Sequence, residues 1–197
     1  MNESIDEMEA LRKRLLSVQH ACLSAAQARC SPAMGTEIER KFLVQNMDWK
    51  EGASGIRYKQ GYLCTEANRT VRVRIAGQTA NINIKGLHSG IRRREYEYKI
   101  PLADAEEILD AQCIHPLIEK IRYRIEFQGH TWEVDEFLGE NQGLVVAEIE
   151  LDSEERAFAL PPWVGKEVSD DMRYTNASLN EHPFGRWPEN KTQQKEA

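Results

Sequence analysis

The sequence predicts an α+β protein, mainly β, in which eight antiparallel strands close into a barrel with helices packed on the outside. Short runs of alternating side chains follow one another from residue 36 onward. One side of this alternation is charged in almost every run, whereas solvent-facing strand positions normally mix Thr, Ser and Gln with the charges. Eight strands are also about the number that closes around one small ligand.

The elements follow one another in a simple order. A helix is predicted over residues 4–29, because apolar residues recur there at spacings of three and four behind an acidic first turn. Ser31-Pro32 would end it. The predicted strands span 36–44, 56–64, 69–76, 80–86, 92–100, 117–127, 130–138 and 144–152.

Two further helices are predicted among the strands. Residues 101–112 have apolar residues on one side and acidic residues on the other. A second helix is expected from Asp152, with capping-box spacing at its start, to the prolines at 161 and 162. Gly129 predicts a hairpin turn between two strands, and the polar tail after Pro183 is expected to fray.

Composition excludes several classes of protein. The chain has 26 Lys+Arg and 32 Asp+Glu among 197 residues, a net charge of −6, so no nucleic-acid partner is expected. No apolar run approaches the ~18 residues that span a bilayer, and the N-terminus is acidic, so we expect no membrane association and a cytoplasmic location. The four cysteines lack zinc-site spacing and predict buried, reduced thiols.

The charged face is the most informative feature. Glu37, Glu39 and Lys41 share it, since alternate strand side chains point to the same side. A solvated sheet face explains one such strand but not the whole set. The basic residues of the face are Lys41, Arg72, Arg74, Lys85, Lys99, Lys120, Arg122 and Arg124. The acidic residues are Glu37, Glu39, Glu95, Glu97, Glu133, Asp135, Glu148 and Glu150.

A tunnel lined by both charges has a chemical interpretation. Arginine and lysine suit phosphate groups, whereas clustered carboxylates suit hard divalent cations such as Mg²⁺ or Mn²⁺. Together they suit a polyphosphate that is bound with its metal ions. Because the tunnel charges cancel, the exterior would be acidic and would repel long polyanions while a short one is admitted.

These residues resemble a known family. Glu37-Ile38-Glu39-Arg40-Lys41 has the ExExK signature of the CYTH superfamily, the triphosphate tunnel metalloenzymes. Further blocks in the family order are Lys59-Gln60-Gly61-Tyr62-Leu63, Val71-Arg72-Val73-Arg74, Ile84-Lys85-Gly86, Glu119-Lys120-Ile121-Arg122-Tyr123 and Ala147-Glu148-Ile149-Glu150-Leu151. The chain is most similar to the short microbial inorganic triphosphatases. We expect a helical extension at 1–33, the tunnel domain at 34–180 and a polar tail at 181–197.

The resemblance implies roles for individual residues. The metal ligands for two ions, Mg²⁺ or Mn²⁺, would be Glu37, Glu39, Glu97, Asp135, Glu148 and Glu150. The phosphate-binding residues would be Lys41, Arg72, Arg74, Lys85, Lys120 and Arg122. Lys41, beside the attacking water, would be catalytic together with Lys85 and Lys120. The family also suggests a homodimer. Asn83 stands where a threonine is common, and Lys99 where an acidic residue is common.

The leading hypothesis is metal-dependent hydrolysis of inorganic triphosphate to pyrophosphate and phosphate. A second hypothesis is a hydrolase or cyclase that acts on an organic triphosphate such as thiamine triphosphate or ATP, since such enzymes share the fold and the ExExK signature. A third is a module that binds polyphosphate without catalysis. Turnover distinguishes the third hypothesis from the other two.

Overall fold

The computed structural model describes residues 38–66, 69–89, 92–153 and 155–188. The predicted helix at 4–29 and Glu37, the first residue of the signature, lie outside these ranges. The strands are β1 (Ile38–Val44), β2 (Gly55–Cys64), β3 (Thr70–Ala76), β4 (Thr79–Ser89), β5 (Arg92–Ile100), β6 (Ile114–Phe127), β7 (His130–Phe137), β8 (Val145–Leu151) and β9 (Val164–Glu167). The helices are α1 (Leu102–Ala111) and α2 (Asn176–Glu181). Short 3₁₀ turns span Asp48–Lys50, Gly139–Asn141, Met172–Tyr174 and Phe184–Arg186.

All the strands form one antiparallel sheet in the order β5-β4-β3-β2-β6-β7-β8-β1-β9. The predicted class, mainly β with few helices, is confirmed. The predicted eight-stranded closed barrel is wrong: the sheet has nine strands and does not close within the described ranges. The reason is that β8 and β9 already occupy the two edges of β1. Since β9 has only four residues, it offers β5 little backbone to pair with.

The ninth strand follows the prolines at 161 and 162 and carries no alternating signal in its sequence, VGKE. It pairs with one end of β1, where Val164 lies opposite Val44 and Glu167 opposite Phe42. A Cβ atom at Gly165 would lie 3.1 Å from the backbone oxygen of Leu43. Glycine therefore lets β9 approach β1 closely, which is a tertiary requirement.

The outer face of β3 and β4 lies under α1, as the amphipathic pattern predicts. Ala105 and Leu109 of α1 are fully buried. They pack against Val73 of β3, Ile82 of β4 and Cys113, which follows the helix. This helix hides one part of the apolar outer face from water and leaves the opposite, charged face free.

The outer face of β1, β6, β7 and β8 lies under loops. Phe158 contacts the rings of Phe42 and Trp132 edge-on, at centroid distances of 6.2 and 5.8 Å. The helix expected from Asp152 is wrong, because the described residues between 152 and 163 form bends, turns and irregular backbone. Ring packing of Phe158 fixes this loop, so tertiary contacts outweigh the local helix signal.

Three smaller expectations are tested by the structure. The hairpin at Gly129 is confirmed, since Gln128 and Gly129 have φ angles of 48° and 80°, both in the left-handed region that such turns need. Cys113 is a buried free thiol, whereas the free thiol of Cys64 is only partly buried. Among the described helices, none has the length and apolar character required to cross a bilayer.

The inner face, defined as the side of the sheet that carries the charged residues, ends in an apolar plug. Along β6 the exposed fraction of the side chain falls from 70% at Arg124 to 2% at Lys120. Ile118, next on the same face, is fully buried with Leu179 and Trp187 of the C-terminal segment. The expected fraying therefore does not hold for the tail up to Trp187, and described residues of the tail cover the inner face at this end.

Candidate active site

Charges on β1 and β8 face each other across the ladder. Lys41 lies opposite Glu148, and Glu39 lies opposite Glu150. The Nζ atom of Lys41 is 2.5 Å from Oε1 of Glu148 and 2.8 Å from Oε2 of Glu39. One ammonium group of the signature strand thus binds two carboxylates that the sequence predicts as metal ligands.

Arg122 of β6 joins carboxylates from two further strands. Its Nε donates to Oδ1 of Asp135 at 2.6 Å, its Nη2 donates to Oε2 of Glu148 at 2.8 Å, and its Nη1 contacts Glu133. Arg124 donates to the other oxygen of Glu133 at 2.7 Å. The planar guanidinium fork suits such multiple contacts, and it holds β6, β7 and β8 in a single charged network.

Lys120 and Asp135 form a buried ion pair beside this network. The Nζ of Lys120 lies 2.5 Å from Oδ2 of Asp135, and the two side chains are 2% and 0% exposed. The same Nζ lies 3.4 Å from Oδ1 of Asn176 in α2. Burial lowers the pKa of Lys120, although the charge on Asp135 opposes this effect. Because an unpaired charge here would be costly, each partner depends on the other.

The two carboxylates that share Lys41 differ in protonation. Partial burial and the charge on Glu148 raise the pKa of Glu39 to about 7. Burial would also raise the pKa of Glu148, but the surrounding cations, Lys41 foremost, outweigh burial and lower it. Burial opposes the charged form of Lys41, yet the charges on Glu148 and Glu39 raise its pKa. At neutral pH, Lys41 and Glu148 are therefore charged, and Glu39 is close to half protonated.

A second group lies on β3, β4 and β5. The Nδ2 of Asn81 donates to Oε1 of Glu97 at 2.8 Å, and Asn83 donates to the other carboxylate oxygen. Arg74 approaches that oxygen only at 3.4 Å. Burial and the positive charge of Arg72 lower the pKa of Arg74. Glu97 is therefore held mainly by neutral amides, and this part of the inner face has an excess of positive charge.

The remaining predicted residues lie at the margins of these two groups. Lys85 is half-buried on β4, opposite Thr70. Glu150 is exposed at the end of the inner face that lies opposite the apolar plug, which we call the open end. Lys99 is exposed on β5, away from the ion-pair network. A cavity of about 540 Å³ opens at the open end, and its charged lining comes from Glu39, Arg122, Arg124, Glu133, Glu148, Glu150 and Asp152. The open end thus concentrates predicted metal ligands.

Sequence reasoning missed three uncharged residues of the inner face and its plug. The ring of Tyr58 has Arg74 and Arg122 at 5.8 and 5.6 Å from its centroid, so it lies between the two groups. Gln60, two residues further along β2, is buried on the same face. Asn176 reaches Lys120 from α2. The alternation of β2 could have identified the first two, but only charged residues were counted.

The donor chemistry of the site fits a hard divalent cation. Glu39, Glu148 and Glu150 supply carboxylate oxygens, which Mg²⁺ and Mn²⁺ prefer. Within the described ranges, no three His, Cys, Asp or Glu side chains converge as a ready metal site. The carboxylates of Glu39 and Glu148 instead contact Lys41. The oxygens that a metal would need are therefore present, and cationic side chains now neutralise them.

Comparison with known proteins agrees with this geometry. The family model of the CYTH domain matches residues 35–182. The inorganic triphosphatase of Acetivibrio thermocellus is 49% identical over 156 residues, which are 79% of this chain and 100% of the relative. The inorganic triphosphatase of Nitrosomonas europaea is 36% identical over 148 residues, which are 73% of this chain and 96% of the relative.

A solved structure shows the same architecture. The crystal structure of the inorganic triphosphatase NE1496 superposes with a TM-score of 0.59 at 34% sequence identity. The match covers 75% of this chain and 95% of that chain. Sequence and fold thus agree over the region that contains all nine strands. The chain belongs to the CYTH domain family.

Proposed function

We propose that this protein hydrolyses inorganic triphosphate to pyrophosphate and phosphate in the charged cavity of its inner face. The observation that carries the proposal is the convergence on one face of Lys41, Arg122 and Glu148 beside the cations Arg72 and Arg74. Two relatives of which the chain covers nearly the full length are inorganic triphosphatases, which supports the same substrate.

The cations of the inner face would bind the phosphoryl groups. Arginine forks donate two parallel hydrogen bonds to a phosphate, and lysine adds a point charge. Arg72, Arg74, Lys85 and Arg122 come from three different strands, so together they can surround a short polyphosphate chain. They would also stabilise the negative charge that develops on the leaving pyrophosphate.

The carboxylates at the open end would hold the metal. Glu39, Glu148 and Glu150 are the proposed ligands there, with Glu37 preceding them in the chain and Glu97 on β5 as a further candidate. Two ions, Mg²⁺ or Mn²⁺, would neutralise phosphate charge and lower the pKa of a bound water when present. Both carboxylate oxygens of Asp135 accept hydrogen bonds from Lys120 and Arg122. We therefore assign Asp135 the positioning of those cations.

The protonation state of Lys41 limits the catalytic roles that this residue can have. Its raised pKa keeps the ammonium group charged at neutral pH, so it cannot accept a proton from water. Its contacts with Glu39 and Glu148 place a donor between two proposed metal ligands. We infer that Lys41 orients the attacking water and stabilises negative charge.

The test is phosphate release from inorganic triphosphate, ATP, thiamine triphosphate and pyrophosphate, with Mg²⁺, with Mn²⁺ or with EDTA. Glu39→Gln and Lys41→Ala should each abolish turnover. Glu167→Gln and Lys50→Ala are the matched controls, because they break ion pairs with Arg40 and Glu136 away from the cavity lining. Both controls should retain activity.

Each outcome of this assay has a distinct meaning. Metal-dependent release from inorganic triphosphate alone supports the proposal. Release confined to ATP or thiamine triphosphate would transfer the function to an organic triphosphate. Binding of triphosphate without any release would leave a non-catalytic module and reject hydrolysis.

A further inference from the structure

Three buried N–H donors on neighbouring strands have no acceptor within the part of the chain that the structure describes. They are Nε2 of Gln60, Nε of Arg72 and Nε of Arg74. Gln60 is only 1% exposed. On the β2–β3 ladder Gln60 lies opposite Arg74. Arg72 lies two residues before Arg74 on β3, so the two arginines share the same face. Buried donors are nearly always satisfied, so a cluster of three indicates an acceptor that comes from a ligand.

The chemistry around these donors favours an anion over water. Two of the three belong to guanidinium groups, and burial together with the like charge of Arg72 already lowers the pKa of Arg74. The neighbouring carboxylate of Glu97 is engaged by Asn81 and Asn83. A water molecule could accept two hydrogen bonds, but it carries no charge that would offset the repulsion between the two cations. A phosphate oxygen does both.

We propose that Gln60 is a substrate ligand whose side-chain amide donates to the phosphoryl group held by Arg72 and Arg74. This inference rests on the proposed function and adds a residue that neither charge counting nor the signature motif indicates. A neutral donor suits this position, because it adds a hydrogen bond without adding a third positive charge beside two buried guanidinium groups.

The position of Gln60 also indicates where on the inner face its phosphoryl group would lie. On the β2–β6 ladder Gln60 lies opposite Ile118, where the apolar plug begins. Ile118 is fully buried, so no space for a substituent lies beyond it. The phosphoryl group at Gln60 therefore lies toward the plug, and any organic substituent of a substrate would have to extend toward Glu150.

The experiment compares Gln60→Met with Gln45→Met. The two substitutions are chemically identical, and Gln45 is exposed, where its amide donates to the carbonyl oxygen of Pro162 at 2.7 Å. Gln60→Met should raise the KM for inorganic triphosphate about tenfold, the effect of losing one hydrogen bond to a charged group. Gln45→Met should leave KM unchanged. Thermal midpoints show whether both variants remain folded.

A second variant separates a ligand role from a packing role. Gln60→Glu keeps the shape of the side chain but places a carboxylate oxygen, in place of the amide donor, against the phosphate oxygen. It should raise KM by about a hundredfold at pH 8, since it loses the donor and repels the substrate. The ratio of its KM to the wild-type KM should fall as the pH is lowered and the introduced carboxylate gains a proton. Loss of packing alone would not give this dependence.

The dissociation constant of inorganic triphosphate in EDTA is measured for every variant, so the ligand role is tested without turnover. A wild-type dissociation constant for Gln60→Met would show that the amide meets only water, and would overturn the inference. If Gln60→Met does not fold, the pH dependence of Gln60→Glu decides. Failure of the wild type to release phosphate while it binds triphosphate through Gln60 would reject the proposed function alone.

Discussion

Two regions of the inner face use the same types of charged residue in opposite ways. In the paired region, on β1, β6, β7 and β8, Lys41, Lys120 and Arg122 each contact at least one carboxylate of the same sheet. In the donor region, on β2 to β5, Arg72 and Arg74 keep buried N–H groups without an acceptor among the described residues. The cations of the paired region are neutralised by carboxylates of the fold. The buried N–H groups of the donor region lack an acceptor among the described residues, and a ligand can supply one.

This difference teaches what a charge count cannot show. Both regions have cations at alternate strand positions. The two regions differ in the side chains that the neighbouring strands place beside those cations. β7 and β8 bring Asp135 and Glu148 to the cations of β6 and β1. β3 lies between β2, which offers the amide of Gln60, and β4, which offers the amides of Asn81 and Asn83. Strand order therefore separates cations that contact carboxylates of the sheet from cations that keep donors without an acceptor among the described residues.

The largest expected effect comes from breaking the paired region at Asp135. Asp135→Leu leaves the buried ammonium of Lys120 without its carboxylate, which should destabilise the protein by about 3–5 kcal/mol. Urea unfolding measures this. The double variant Lys120→Met with Asp135→Leu should recover most of the lost stability, because it replaces a buried ion pair by apolar packing. A double variant as unstable as the single one would contradict the pairing.

Substitution in the donor region should instead affect binding. Arg74→Met removes a buried cation that burial and Arg72 already disfavour, so the free energy of unfolding should stay constant or rise. Affinity for inorganic triphosphate should fall by ten- to a hundredfold, about 1.5–3 kcal/mol for a charged hydrogen bond. Calorimetric titration measures the affinity. Arg124→Met, at a side chain 70% exposed, is the control and should cost less than half as much. Equal losses would remove the distinction between the regions.

Tyr58 connects the two regions and should have a smaller effect. Its ring lies within 6 Å of the guanidinium carbons of Arg74 and Arg122. Tyr58→Leu should lower the free energy of unfolding by about 1 kcal/mol through loss of the two cation–π contacts. Tyr58→Phe keeps the ring and should be close to wild type in the same unfolding measurement. If both variants lose equal stability, the hydroxyl matters and the ring contacts do not.

The smallest expected effect is a pH dependence at Glu39. Its pKa is raised from 4.5 to about 7, so the folded, metal-free protein binds this proton more tightly than the unfolded chain. The resulting stability is complete below about pH 4.5 and is lost as the pH rises through 7. Because the side chain is 40% exposed and water screens its charge, the loss should stay below about 1 kcal/mol.

Urea midpoints in EDTA between pH 5 and pH 8 test this expectation. Glu39→Gln mimics the protonated carboxyl group, so it should reduce the fall of the urea midpoint between pH 5 and pH 8. Glu148 does not interfere in this range, because its pKa is lowered and its contribution is lost only toward acid pH. Parallel curves for the wild type and Glu39→Gln would assign the titration to another group.

Prediction from the sequence succeeded where local patterns decide the structure. The strands β1 to β8 and α1 have the predicted identity, since alternation and the amphipathic pattern operate over a few residues. The prediction missed β9 because its four residues, Val164–Glu167, are too few to show an alternating pattern. The helix expected from Asp152 failed because Phe158 packs against Trp132, a partner that no local pattern indicates.

The candidate site divides in the same way. Alternation placed Glu39, Lys41, Arg122 and Glu148 on one face, and the structure brings them into contact. No sequence pattern indicates that Asp135 contacts Lys120, since that contact depends on the register between β6 and β7. The orphaned donor of Gln60 is likewise visible only when its surroundings are known.

The sequence by itself determined which residues face inward, their charges and the family to which they belong, because side-chain alternation is a property of each strand alone. Tertiary structure decided which charges neutralise one another, where the apolar plug covers the inner face and which donors lack a partner among the described residues. Those properties depend on strand order, register and the plug around Ile118, and each joins residues that are far apart in the chain. The sequences of the individual strands thus set which chemical groups the site contains, and the pairing of the strands divides the site into the paired and donor regions.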